Sequence, residues 1–177
     1  MLAMVGAVIG GLILGGVLYA VENPKSPGSG EQAAEGGTAE IKPASVKSFD
    51  PSGGSGFRDK GGTWTTQTYN TADFGGLKPG VGLLIDLGQP HKVSSVTLPS
   101  ATAGLGVALL AGDQAPSGDV KGMSSADTAT TKASGTTLSG ADAGQHRYWM
   151  VWVTKLAQSE GGFSATVATP VVRGSGT

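Results

Sequence analysis

The chain of 177 residues has 31 glycines, 9 prolines, no cysteine and a formal net charge of −1. That charge removes the electrostatic case for nucleic acid, since no basic field is present to displace phosphate counterions; the lack of cysteine excludes disulfides and thiolate metal sites. Abundant glycine with only 14% charged residues argues for short strands joined by turns rather than a helical bundle.

Residues 1–21 carry no charged side chain, and a helix of that length rises roughly 30 Å, the depth of a bilayer's hydrocarbon core. We read them as a transmembrane helix, because glycines that weaken a helix in water are tolerated where an unbonded backbone would face lipid. Tyr19 fits an interfacial anchor. A cleaved signal peptide is the rival reading, but Leu18-Tyr19-Ala20 is a poor small-x-small site and no Lys or Arg precedes the apolar run. Without a basic flank the positive-inside rule assigns no orientation, as expected if Met1 lies inside a longer protein whose cytoplasmic part precedes it. Gly6/Gly10, Ala7/Gly11/Gly15 and Gly16/Ala20 are small-xxx-small pairs of the kind that let two helices dimerise, although chance alone produces such pairs in so glycine-rich a stretch.

Residues 22–43 have no hydrophobic period and are dominated by Pro, Gly, Ser and Glu. Such a segment cannot bury enough apolar area to offset its chain entropy, so it is expected to be a flexible linker reaching about 25 Å. A β-sandwich domain is expected over 44–174, with 175–177 as a tail. Val81 to Leu87 and Val93 to Leu98 read as two strands joined through Gly88-Gln89-Pro90. In Leu105 to Ala111 the alternate residues Leu105, Val107, Leu109 and Ala111 share one face. Residues 117–145 offer only Val120, Met123 and Leu138 for packing, so a polar edge strand around Thr128 to Leu138 is expected there. Arg147 to Thr154 is apolar on both faces, the pattern of a central strand covered on two sides. Phe163, Ala165, Val167 and Val171 are predicted to share the inner face of a last strand. The whole predicts an antiparallel jelly-roll sandwich of seven or eight strands.

Three segments then carry a family resemblance: Thr63-Trp64-Thr65-Thr66-Gln67-Thr68-Tyr69 with Phe74-Gly75-Gly76-Leu77-Lys78-Pro79-Gly80; Ile85-Asp86-Leu87-Gly88 with Val93-Ser94-Ser95-Val96; and Arg147 to Leu156 with a strand ending at Arg173-Gly174. Together they resemble a discoidin-like (galactose-binding-like) sandwich. More narrowly, they resemble the extracytoplasmic C-terminal domain of actinobacterial MviN-type lipid II flippases and of membrane-anchored serine/threonine kinases. The likeness spans about Val46 to Gly174 and implies a domain outside the membrane, since helix and linker precede it in those proteins too. Related domains hold a structural calcium through an Asp-Gly-x-x-x-Thr-x-Trp loop and a Glu on the last strand. Here the loop is Asp59-Lys60-Gly61-Gly62-Thr63-Trp64 and Thr169 stands where the Glu would align, so Asp59 is the sole metal candidate. A hard cation wants six or more oxygens, and no cofactor is expected.

Catalytic motifs are missing. His91 and His146 read as solvent-exposed turn or strand-end residues, Gly53-Gly54-Ser55-Gly56-Phe57 fails G-x-S-x-G at its last position, and Gly75 to Gly82 lacks the Gly-Lys-Ser/Thr of a phosphate loop. A non-enzymatic role is therefore expected, and two remain open. One is a module binding cell-wall glycan or a peptidoglycan precursor, with Phe57, Arg58 and Tyr69 as the exposed ligand contacts and Trp64, Trp149 and Trp152 in the core. The other is an ectodomain that docks onto an envelope protein.

Overall fold

The computed structural model describes residues 38–175. The expected transmembrane helix, its small-xxx-small pairs and most of the expected linker lie outside those residues; among the described residues no helix is long and apolar enough to cross a membrane.

The described chain is all-β, with strands β1 (Ala39–Ile41), β2 (Ser45–Phe49), β3 (Arg58–Lys60), β4 (Thr63–Thr65), β5 (Val81–Leu98), β6 (Gly106–Gly112), β7 (Ser124–Thr130), β8 (Thr136–Ser139), β9 (Gln145–Lys155), β10 (Ala157–Ser159), β11 (Gly162–Ser164), β12 (Thr166–Ala168) and β13 (Val171–Ser175). The main sheet runs β1-β13-β5-β9-β6-β7, with β2 and β8 also on β5; β12-β4-β3 and β10-β11 form two smaller antiparallel sheets. The expected pair of strands over 81–98 is one strand of 18 residues. Gly88 takes a positive φ of 82° and its N–H donates to the Asp86 carboxylate at 2.7 Å, so the chain bulges where a reversal was expected. That length lets β5 pair with β9 over 81–86 and again at 91–92, with β2 over 82–86, with β13 from Lys92 on and with β8 from Ser95 on.

Two boundaries differ from expectation. Ala39–Ile41, inside the expected linker, pairs with β13, and Ile41, the one large apolar side chain of that segment, packs on the core. Ser175, placed in the tail, closes β13 against Lys92.

The core lies between the main sheet and the β12-β4-β3 sheet. Val81, Leu83 and Ile85 of β5 face it in register with Val153, Val151 and Trp149 of β9, and Trp64 and Val167 close it from the small sheet. The other face of β9 is buried too, as its unbroken apolar run predicts: Met150 and Trp152 join Ala108 and Leu110, covered by Phe49, Leu84, Val120 and Met123. Residues 117–145 thus supply a cover from Val120 and Met123 and two strands, β7 and β8, where one was expected. In the last segment Val172, not Val171, is buried at 1% exposure. Pro170, with no N–H to give a ladder, separates β12 from β13 and reverses the parity.

Arg147 donates through Nε and Nη2 to both carboxylate oxygens of Asp86 at 2.8 and 2.9 Å across β9 and β5. The Arg147 guanidinium, more than the Gly88 N–H, holds the Asp86 carboxyl below its usual range. A carboxyl depressed on folding contributes stability above its unfolded value and loses it as pH falls through the folded one. Asp86→Asn is therefore expected to flatten the acid limb of a stability-versus-pH curve below about pH 4, measured by urea unfolding, with little change in the alkaline limb.

Candidate functional site

The three expected ligand contacts do not share an exposed surface. Phe57 is 2% and Tyr69 6% exposed, so neither ring faces solvent as expected; Arg58 is exposed. Phe57 is drawn inward because Gly56 packs where a Cβ would stand 2.8 Å from Val81, and the Phe57 N–H donates to Ser48 Oγ at 2.8 Å. Tyr69 is clamped by a two-way backbone bridge with Phe163, 2.8 Å in each direction, and its ring meets Phe74 edge-on at 5.2 Å. Arg58 lies on β3 opposite Thr65, on the other arm of the hairpin. Asp59 caps the β3–β4 turn, accepting from the Gly62 N–H at 2.9 Å. Thr169 does sit over that turn: its hydroxyl donates to the Gly62 carbonyl at 3.0 Å and accepts from Trp64 Nε1 at 3.2 Å. Among the described residues no three His, Asp or Glu side chains stand close enough to hold a metal.

The two histidines are half-buried rather than exposed, opposite each other on β5 and β9. His146 uses both ring nitrogens, on Asp113 Oδ1 and the Ala143 carbonyl, each at 2.8 Å. Neither histidine is set against a nucleophile.

The residues after β4 build a different feature. Gln67, Thr68, Tyr69, Asn70, Gly75 and Leu77 line a cleft of about 420 Å³. Its far wall is the turn Phe74–Gly76, where three successive residues have φ of 61°, 68° and 71°. Glycine takes that region without steric cost, but buried Phe74 does not; left-handed backbone at a bulky residue costs about 1–3 kcal/mol and persists only where the surroundings over-determine it. Here the Tyr69 contact and full burial of the Phe74 ring hold it, and the turn delivers Leu77, at 74% exposure the one exposed large hydrophobic side chain among the described residues.

The floor is ordered from beneath. Gln67 Nε2 donates to the Tyr69 hydroxyl at 3.0 Å, leaving the carboxamide oxygen and second N–H directed away from it. The Lys78 ammonium lies 5.8 Å from the Tyr69 ring centroid and pairs with Asp50, their side chains 9% and 5% exposed. Burial pulls the Lys78 ammonium down, but Asp50 and Tyr69 together outweigh it and leave the group above its ordinary value. The ammonium therefore stays charged through neutral pH and loses its proton only on the alkaline side of the lysine range. Exposed neutral hydrogen-bonding groups beside one apolar side chain suit an uncharged polar ligand with an apolar patch. Gln67, Thr68, Asn70 and Leu77 were missed in the sequence because nothing in their spacing is periodic; the signal present was an amide-rich run followed by two glycines.

Two other hollows lack such order. One of about 530 Å³ opens in the loop 113–123, where Asp113 and Asp119 are occupied by His146 and Lys121. The other, about 430 Å³, overlies Gly106 and Ala108 on the outer sheet face.

No family model and no curated protein matches the chain in sequence. Solved structures match its fold. A SusE-like protein superposes with a TM-score of 0.55 at 14% identity, over 79% of this chain and 68% of that one. A truncated AlyQ with CBM32 and alginate lyase domains gives 0.51 at 15% identity, over 80% of this chain and 34% of that one. A family 89 glycoside hydrolase from Clostridium perfringens gives 0.50 at 13% identity, over 78% of this chain and 15% of that one. At these identities the likeness is one of fold alone: an all-β sandwich, shared with a SusE-like protein and with a chain that carries a CBM32 domain.

Proposed function

We propose that this chain is a non-catalytic, membrane-tethered extracytoplasmic module that binds cell-wall glycan or a peptidoglycan precursor in the cleft between Gln67 and Leu77. The observation that carries the reading is the cleft itself: exposed amide and hydroxyl groups around an exposed Leu77, with no charged side chain in the lining. Sugars present this combination of hydroxyls and apolar C–H faces, and a site with an ordered Gln67 amide next to an apolar wall answers both. The fold supports it, since a chain that carries a CBM32 domain has the same architecture. Tethering rests on the uncharged run 1–21, and the outward placement on the resemblance to the flippase and kinase C-terminal domains. Docking onto an envelope protein is the weaker reading, because Leu77 stands alone among the described residues and forms no broad apolar patch.

The test is a pull-down of the full chain in detergent on insoluble peptidoglycan and on chitin. Saturable binding is expected. Gln67→Ala should weaken it about 5-fold, the value of one neutral hydrogen bond, and Tyr69→Phe somewhat less, because it removes only the hydroxyl that orients Gln67. Tyr69→Phe keeps the buried ring, so its melting curve should stay close to that of the parent. A folded chain that ignores both polymers would leave protein docking as the better account.

A further inference from the structure

Asp50 does not line the cleft, yet its placement bears on what the cleft accepts. Between Gly61 and His91 the only cationic Lys or Arg is Lys78, the residue after Leu77. Its ammonium is turned inward under Tyr69 onto Asp50. Asp50 is held for that purpose by its own turn: its Oδ1 accepts from the Ser52 N–H at 2.9 Å and its carbonyl from the Gly53 N–H at 3.1 Å, leaving Oδ2 for Lys78. The nearest other carboxylate on the cleft loop, Asp73, is exposed and accepts from Thr71.

We infer that Asp50 is the charge-selectivity determinant of this cleft: by sequestering Lys78 beneath Tyr69 it makes the site one for uncharged saccharides, and without it the same cleft accepts anionic ones. The inference rests on the glycan-binding reading. A paired ammonium and carboxylate present only a dipole to a ligand above them, whose field falls faster with distance than that of either charge alone. An unpaired lysine on a four-carbon stem turns its head toward solvent while the stem stays packed. At an intermediate dielectric, one such charge a few ångströms from a carboxylate changes affinity about tenfold, and salt screens it.

The probes are chitin oligosaccharide, which is neutral, oligogalacturonate, which is anionic, and chitosan oligosaccharide, which is cationic at mildly acid pH. Binding to the full chain in detergent is measured by calorimetry at low and high salt, with a melting curve for each variant. The parent is expected to bind the neutral probe independently of salt. Asp50→Asn, which keeps size and an acceptor for Ser52, should gain about tenfold for oligogalacturonate at low salt and lose the gain at high salt. Lys78→Met leaves the carboxylate uncompensated on a short, buried stem and should gain for the chitosan probe by less than Asp50→Asn gains for the anionic one, so either variant carries the test if the other fails to fold. Asp50→Asn/Lys78→Met should return both preferences to those of the parent. A parent that binds none of the probes overturns the glycan reading and this inference with it. A parent that binds the neutral probe, with folded variants whose charge preference does not move, overturns the inference alone.

Discussion

Trp149→Ala is expected to lower the unfolding free energy by about 4 kcal/mol, read from the shift of the urea midpoint at unchanged slope. Trp149 is fully buried in the middle of β9, where both neighbouring strands present side chains to it in register: Ile85 from β5 and Ala111 from β6. Its indole N–H donates to the His146 carbonyl at 3.1 Å, so truncation removes ring packing and strands an acceptor as well. The ring also meets the backbone at Gly140, where an added Cβ would stand 3.0 Å from it, so the chain there cannot collapse freely into the space left. Against a total of about 5–15 kcal/mol for a domain of this size, the loss is a large fraction. A change below about 1 kcal/mol would mean that the ring is not packed as described.

Gly80→Ala is the second large effect, expected to cost about 3 kcal/mol and to weaken glycan binding more than any other change outside the lining. Gly80 joins the cleft loop to β5. A Cβ there would lie 2.4 Å from the Val153 carbonyl oxygen and 2.7 Å from two carbons of the Trp152 ring. Backbone cannot yield as a flexible side chain can, so the loop must lift, and Leu77 and Lys78 lift with it. Gly76→Ala provides the contrast: its φ is +71° and nothing lies within 4 Å, so the cost is the left-handed penalty of about 1–2 kcal/mol. Urea unfolding of the two variants separates the reasons for glycine; equal losses would show that conformation, not close approach, governs both.

What could be read from the sequence followed from local pattern, and what could not depended on distant partners. β9 was legible because an apolar run on both faces has one common explanation, a strand with cover on each side. The alternation of Leu105 to Ala111 was legible for the same reason. Parity failed after Val167 because Pro170 breaks the count, a local fact that was in plain view. Gly88-Gln89-Pro90 looked like a reversal because Gly and Pro mark both turns and bulges; only the partners β2, β8, β9 and β13 decide between them. Tyr69 was misjudged most. Its burial is set by Phe74, five residues on, and by Phe163, which lies 94 residues away and reaches it only through the fold. Once Tyr69 turned inward, the groups able to meet a ligand were its neighbours Gln67, Thr68 and Asn70, whose polar side chains carry no pattern to distinguish a site from a loop.

The pairing of Ala39 with Gly174 has a mechanical consequence. Tension arriving from the segment before Ala39 falls first on β1, a strand of three residues whose one strand partner is β13 and whose Ile41 packs on the core. The load enters at the free end of β1, so the pairings of Ala39, Glu40 and Ile41 with β13 meet it in that order. Beneath β1, Val93 to Thr97 of β5 keep their pairing with β13 when it peels. The strand is thus placed to yield first, lengthening the chain ahead of β2 by about 10 Å before β13 and β5 separate.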